Sequence, residues 1–205
     1  KQAAMAALSS GYGLATFIAG ILILVLAPVL GQQADRRGSK KRALALFTAL
    51  LALAQFALFF VHADPAYFWF GAIVLSLGAV VAEIAGVNYN AMLVQISTPR
   101  TVGRVSGLGW GLGYIGGIVA LTIVVLLTFA DWFGMDTSDG MAYRLIALGC
   151  GVWTIVFALP LFFNVPESPA RMGAQRVGFF RSYVVLVHDI VRLYRTHRPT
   201  FWFLV

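Results

Sequence analysis

The stretch Gly31-Gln32-Gln33-Ala34-Asp35-Arg36-Arg37-Gly38-Ser39-Lys40-Lys41-Arg42 is a short hydrophilic island between two apolar runs. Residues 14–30 before it carry no charge, and neither do residues 43–61 after it. Each run is about the length needed to cross a hydrocarbon core of roughly 30 Å. The island therefore predicts a tight basic loop, where the chain leaves a membrane, reverses and re-enters.

The composition agrees. The chain is 60% hydrophobic and 11% charged, against roughly 25% charged in ordinary soluble domains. Its mean hydropathy is +0.85. The apolar runs are continuous rather than alternating, which argues against a strand barrel. The fold class is all-α integral membrane, built of helices that satisfy their own backbone in lipid.

Five spans are expected, at 8–31, 43–61, 67–96, 105–129 and 143–163. Together they make residues 1–163 one helix bundle. Residues 164–199 read as a cytoplasmic linker, opened by the helix stop Val165-Pro166-Glu167-Ser168-Pro169. Within it, 183–195 is apolar and then basic. That pattern suits either an interfacial helix whose basic end meets anionic lipid or a linker helix packed on the bundle. Residues 200–205 begin a further apolar helix, so the chain reads as part of a larger membrane protein.

All basic residues except Lys1 and Arg144 fall in one alternate set of loops, with Arg36, Arg37, Lys40, Lys41, Arg42, Arg100 and Arg104 among them. Asp64, Asp131, Asp136 and Asp139 lie on the other side. The basic side is expected to face the cytoplasm. The net charge of +7 thus reflects topology and implies no nucleic-acid partner. Cys150, alone in an apolar run, excludes an internal disulfide or a CxxC site and reads as a small buried hydrophobe. His62, His188 and His197 are far apart. No His-x-x-x-His, Gly-x-Ser-x-Gly or Walker loop occurs, so neither an enzyme, a metal site nor a cofactor is expected.

Glu83 is the one carboxylate inside the expected spans. A charge at that depth should face the bundle interior or a wet cavity. Asn90 lies two turns further along the same helix face, and Gly86 between them leaves room. Asn88, Tyr89 and Gln95 add polar groups toward the cytoplasmic end. Glu83 could carry a coupling proton, bind a cationic part of a solute, or be a protonated structural residue.

Gly103, Gly107 and Gly111 repeat every four residues, as do Gly109, Gly113 and Gly117 on another face. Both are close-packing patterns of the small-xxx-small type. In the island, Gly31 permits close approach and Gly38 can take the positive φ of a tight reversal. Asp35 can accept hydrogen bonds from a neighbouring helix N-terminus.

Three motifs carry a resemblance. The positions Gly31, Asp35, Arg36, Gly38, Lys40 and Lys41 resemble the loop signature joining the second and third helices of the major facilitator superfamily. The run Gly109-x-Gly111-x-Gly113-Tyr114-x-Gly116-Gly117 is similar to the glycine-rich fifth-helix motif, with Tyr114 in place of its usual proline. Residues Gly86-Val87-Asn88-Tyr89-Asn90-Ala91-Met92-Leu93, with Gly103-Arg104-Val105-Ser106-Gly107-x-Gly109-Trp110-Gly111, resemble the Atg22-like branch, also called the UMF1 family.

The resemblance covers nearly the whole chain. It implies most of an N-terminal six-helix half, spanning helices 2 to 6 and the start of helix 7. A C-terminal half of the same transporter would be the partner. It implies a small-solute transporter working by alternating access, with an amino acid as one solute class and a proton as a coupling ion. Asp35 and Arg36 would act in the cytoplasmic gate, and the glycine helix would slide on the other half. The setting would be a bacterial inner membrane, or a vacuolar membrane in a eukaryote. The competing reading is a non-transport membrane scaffold or receptor-like protein.

Overall fold

The computed structural model describes residues 2–129, 140–167 and 178–204. The expectations placed on Lys1, Asp131, Asp136, Asp139, Ser168, Pro169, Arg171, Arg176 and Val205 lie outside the described residues. Helix α1 covers Gln2–Arg37 and α2 Lys40–Ala57, followed by a 3₁₀ turn at Leu58–Phe60. A second 3₁₀ turn, Pro65–Tyr67, leads into α3, Phe68–Leu93. Helices α4, Val102–Phe129, and α5, Met141–Asn164, follow. Then come α6, Phe179–Thr196, and the short α7, Arg198–Leu204. Helices α1 to α5 are each long and apolar enough to cross a membrane. The protein is an all-α, multi-pass integral membrane bundle.

The island differs from its expected form. It is mostly helix, because α1 continues through Arg37 and α2 starts at Lys40. The reversal needs only Gly38 and Ser39. Gly38 sits at φ 62°, the left-handed region open to glycine at little cost. Ser39 N–H donates to the Ala34 carbonyl at 3.0 Å and Gly38 N–H to that of Asp35 at 3.4 Å. This is the Schellman pairing, which satisfies carbonyls at a helix end and so lets the helix run up to the turn.

Helices α1, α2, α3 and α5 make the packed block. α3 lies against α1 and α2, and α5 against α2. Its core is built on small residues: Ala19 and Ala27 of α1 pack with Val80 and Ile84 of α3. Leu44 of α2 packs with Ala85 and Met92 of α3. Lipid gives helices no hydrophobic reason to associate, so close approach through small side chains supplies the attraction. The tightest crossings are at Gly31 and Gly151. A Cβ at Gly31 would lie 2.8 Å from Val87 Cγ1, and one at Gly151 would lie 2.5 Å from Phe56 Cε1. Thr154 Oγ1 also donates to Gln55 Oε1 at 2.9 Å, tying α5 to α2 inside the bundle.

α4 is different. It touches α3 at few points and has no buried residue. α6 touches α1 through the Tyr183 hydroxyl, which donates to the Val25 carbonyl. Pro28 lies within α1 three residues further on. A proline loosens the carbonyls of the preceding turn, and such groups in a membrane helix are re-satisfied by neighbours.

Candidate functional site

Two regions gather the candidate residues. The first is the corner where α1, α2, α3 and the chain after α5 meet. Lys40 Nζ lies 2.6 Å from Asp35 Oδ1 and donates to the Ala91 carbonyl at 3.2 Å. One ammonium thus joins the last turns of α1 and α3, where helix dipoles favour a cation. The helix N-terminus that the resemblance sets beside Asp35 belongs to the other half of the transporter, and among the described residues Asp35 faces Lys40. The N-terminus of α2 itself is met by Glu167, whose Oε1 accepts from Lys41 N–H at 2.9 Å. Glu167 Oε2 also lies 3.6 Å from Arg42 Nε. Gly31 makes the expected close approach, though inside α1 rather than at its end. Arg36 is half-buried and forms no ion pair among the described residues.

The second region is the open side of α3. Glu83 is exposed there, and Asn90 and Tyr89 are exposed on the same helix. The interior position expected for Glu83 is not provided by the described helices, because α1 and α2 cover the opposite side of α3. Asn88 is the clearest departure. It is 1% exposed, and its Nδ2 donates to the Ile84 carbonyl at 2.8 Å. Five residues from Glu83 turn a helix by about 140°, which carries Asn88 into the packed face. Gln95 lies beyond the end of α3, its N–H donating to the Met92 carbonyl at 2.9 Å. The polar segment therefore splits. Glu83, Tyr89 and Asn90 are exposed, Asn88 is buried, and Gln95 lies beyond the end of α3.

Between α3 and α4 runs a cleft of about 680 Å³. Gly86, Tyr89 and Asn90 line one wall, and Gly109, Trp110 and Gly113 are on the other. Gly117 continues that second wall. Glu83 does not line it but stands one turn beyond Gly86. The Trp110 and Tyr114 rings are 6.2 Å apart between centroids. The Gly109–Gly113–Gly117 face thus points at α3, as a packing face should, yet no close helix contact forms. A Cβ at Gly109 would meet the Tyr89 hydroxyl at 3.3 Å, and at Gly113 or Gly117 nothing within 4 Å. Tyr89 stands in front of Gly109, which leaves the cleft open beyond it. Gly103, Gly107, Gly111 and Gly116 also have open space around them. Among the described helices, the close-packing reading of α4 is not realised at these glycines.

Sequence reasoning overlooked several residues. Glu167 read only as part of a helix stop, although a carboxylate beside a Pro stop can reach a helix start. Gly151 lacked a repeat to mark it. Arg144 read as a lone charge on the acidic side, yet its Nε donates to the Phe59 carbonyl at 2.5 Å. Its guanidinium lies 4.6 Å from the Phe59 ring centroid. It closes the far end of the α2–α5 pair. Cys150 is exposed rather than buried. No cluster of metal-binding side chains occurs among the described residues.

Residues 95–205 match the family described as vacuole effluxer Atg22 like. The chain is also similar to an uncharacterized MFS-type transporter, YxiO, of Bacillus subtilis (strain 168). The two are 29% identical over 167 residues, covering 79% of this chain and 38% of that protein. The chain therefore spans well under half of that relative's length. No solved structure matches. The family match takes in more than half of the chain, which belongs to the Atg22-like family of the major facilitator kind.

Proposed function

We propose that this chain is part of a secondary transporter that moves a small solute by alternating access. The observation that carries the reading is the division of the bundle. α1, α2, α3 and α5 pack into a block, while Tyr89 and Asn90 of α3 line a cleft walled by α4, with Glu83 exposed one turn beyond it. A lone carboxylate at membrane depth is costly and marks a polar path. On this reading the open side of α3 borders that path. The relative's description as an MFS-type transporter supports the class.

An amino acid is the solute class we favour, because a carboxylate exposed on the open side of α3 suits an ammonium group. Glu83 would meet that group or carry a coupling proton, with Asn90 and Tyr89 lending hydrogen bonds. The Asp35–Lys40–Ala91 corner would belong to the cytoplasmic gate, with Arg36 and Lys41 beside it. The glycines of α4 would pack against the other half of the transporter. Flux of radiolabelled amino acids into proteoliposomes of the intact protein tests the reading. Uptake above empty vesicles, saturable in solute, is expected. A purified protein that neither fluxes nor binds any amino acid would overturn the solute assignment. Absence of flux for every solute class would overturn transport.

A further inference from the structure

We propose that α6 is a docking surface for acidic phospholipid of the membrane leaflet on the basic-loop side. Phe180, Val184, Val187, Val191 and Tyr194 recur at intervals of four, three, four and three residues, which places them in one row along α6. All are exposed, Phe180 at 84% and Val184 at 68%.

A second row runs beside the first, one residue further along the chain: Arg181, His188, Arg192 and Arg195. All four are exposed. The three arginines form no ion pair among the described residues. Arg198 of α7 lies 5.5 Å from the Tyr194 ring centroid and extends the basic edge. Asp189, the acidic residue of α6, lies on the far side of the helix from the apolar row. The side turned to protein is distinct again. There Ser182 is 1% exposed, and Tyr183 reaches the Val25 carbonyl.

α6 therefore has one side committed to the bundle and another that pairs apolar with cationic groups. Charge complementarity selects lipid as its occupant. The apolar row suits acyl chains, while the arginine row supplies the charge complement of a phosphate headgroup.

The test uses the intact protein with Cys150→Ser, carrying a fluorophore on Val187→Cys, in vesicles of phosphatidylcholine and phosphatidylglycerol. Either lipid is brominated in turn. Brominated phosphatidylglycerol is expected to quench the probe more strongly than brominated phosphatidylcholine, and added salt should reduce the difference. Each arginine at an acidic leaflet contributes roughly fivefold in binding. Replacing Arg181, Arg192 and Arg195 by Gln should thus lower the preference on the order of a hundredfold. Replacement by Lys should retain most of it. Equal quenching by both lipids in the parent overturns the proposal, as does a preference unchanged in the Gln variant. A probe that neither lipid quenches also overturns it, because it places another protein surface or a second copy over the row. Should the Gln variant fail to insert, the salt titration of the parent decides, and a preference indifferent to salt rejects the arginine role.

Discussion

Lys41 N–H and Glu167 Oε1 are 126 residues apart in the chain and 2.9 Å apart in the structure. The bond places a carboxylate on the N-terminus of α2, where unpaired amides and the helix dipole favour negative charge. It also fastens the segment after α5 to the α1–α2 corner. Glu167→Ala should cost about 1–2 kcal/mol, as loss of a charged capping bond does. Glu167→Gln, which keeps an acceptor, should cost less. Thermal unfolding of the purified protein measures both, and equal stability of parent and Ala variant would remove Glu167 from the fold's supports.

Gly151 and Gly113 should respond oppositely to added bulk. Gly151→Val drives carbon into the Phe56 ring, since even its Cβ would lie 2.5 Å from Cε1. Overpacking of this sort costs typically 1–3 kcal/mol. Gly113→Ala meets open space within the described helices and should raise the stability of α4 by up to about 1 kcal/mol. Bulk at Gly113, as in Gly113→Leu, should instead slow transport by the intact protein. Normal transport in that variant would show that no second surface closes on α4 there.

Lys40 holds two helix ends through Asp35 and the Ala91 carbonyl. Lys40→Met removes both contacts, whereas Asp35→Asn removes the ion pair and keeps a polar side chain. Both variants should insert normally. Spin-label distances across the basic-side corner of the intact protein should broaden, more for Lys40→Met. Distance distributions identical to the parent would reduce the corner to an ordinary loop.

Glu83→Gln keeps size and most hydrogen bonding but abolishes titration. A coupling role predicts loss of pH-driven uptake with solute exchange retained. An amine-binding role predicts weaker apparent affinity at every pH. Paired uptake and exchange assays separate them, and near-parental values in both would leave Glu83 a structural residue.

Topology can be read by labelling. In a Cys150→Ser background, Ala66→Cys should react with a membrane-impermeant maleimide in intact cells, while Arg37→Cys should not. The reverse pattern would invert the orientation argued from the basic loops.

Much of the molecule follows from local sequence. Uncharged runs long enough for a bilayer must become helices, because lipid offers no partner to an exposed backbone. The five helices accordingly lie at the expected places, with ends moved by a few residues. Gly38 was legible as the reversal because a left-handed residue there has one inexpensive solution. The island's helical state was not legible. Charge marks where a chain leaves the membrane, but it does not say where the helix stops.

The candidate site depended on contacts that one-dimensional pattern does not carry. The periodicity of α3 puts Glu83 and Asn90 on one face and Asn88 on another, and only packing decides which face is covered. α1 and α2 cover the Asn88 side, where small residues allow the backbones to approach. Likewise the repeat in α4 marks a face able to pack closely, and the Tyr89 hydroxyl before Gly109 leaves it open toward α3. The sequence by itself determined the membrane class, the number and order of spans and the reversal at Gly38, because these follow from hydrophobic length and local backbone chemistry. The tertiary structure decided which carboxylate caps α2, which glycines are crossings and which polar residues border the cleft, because each depends on helices distant in sequence meeting at a particular rotation.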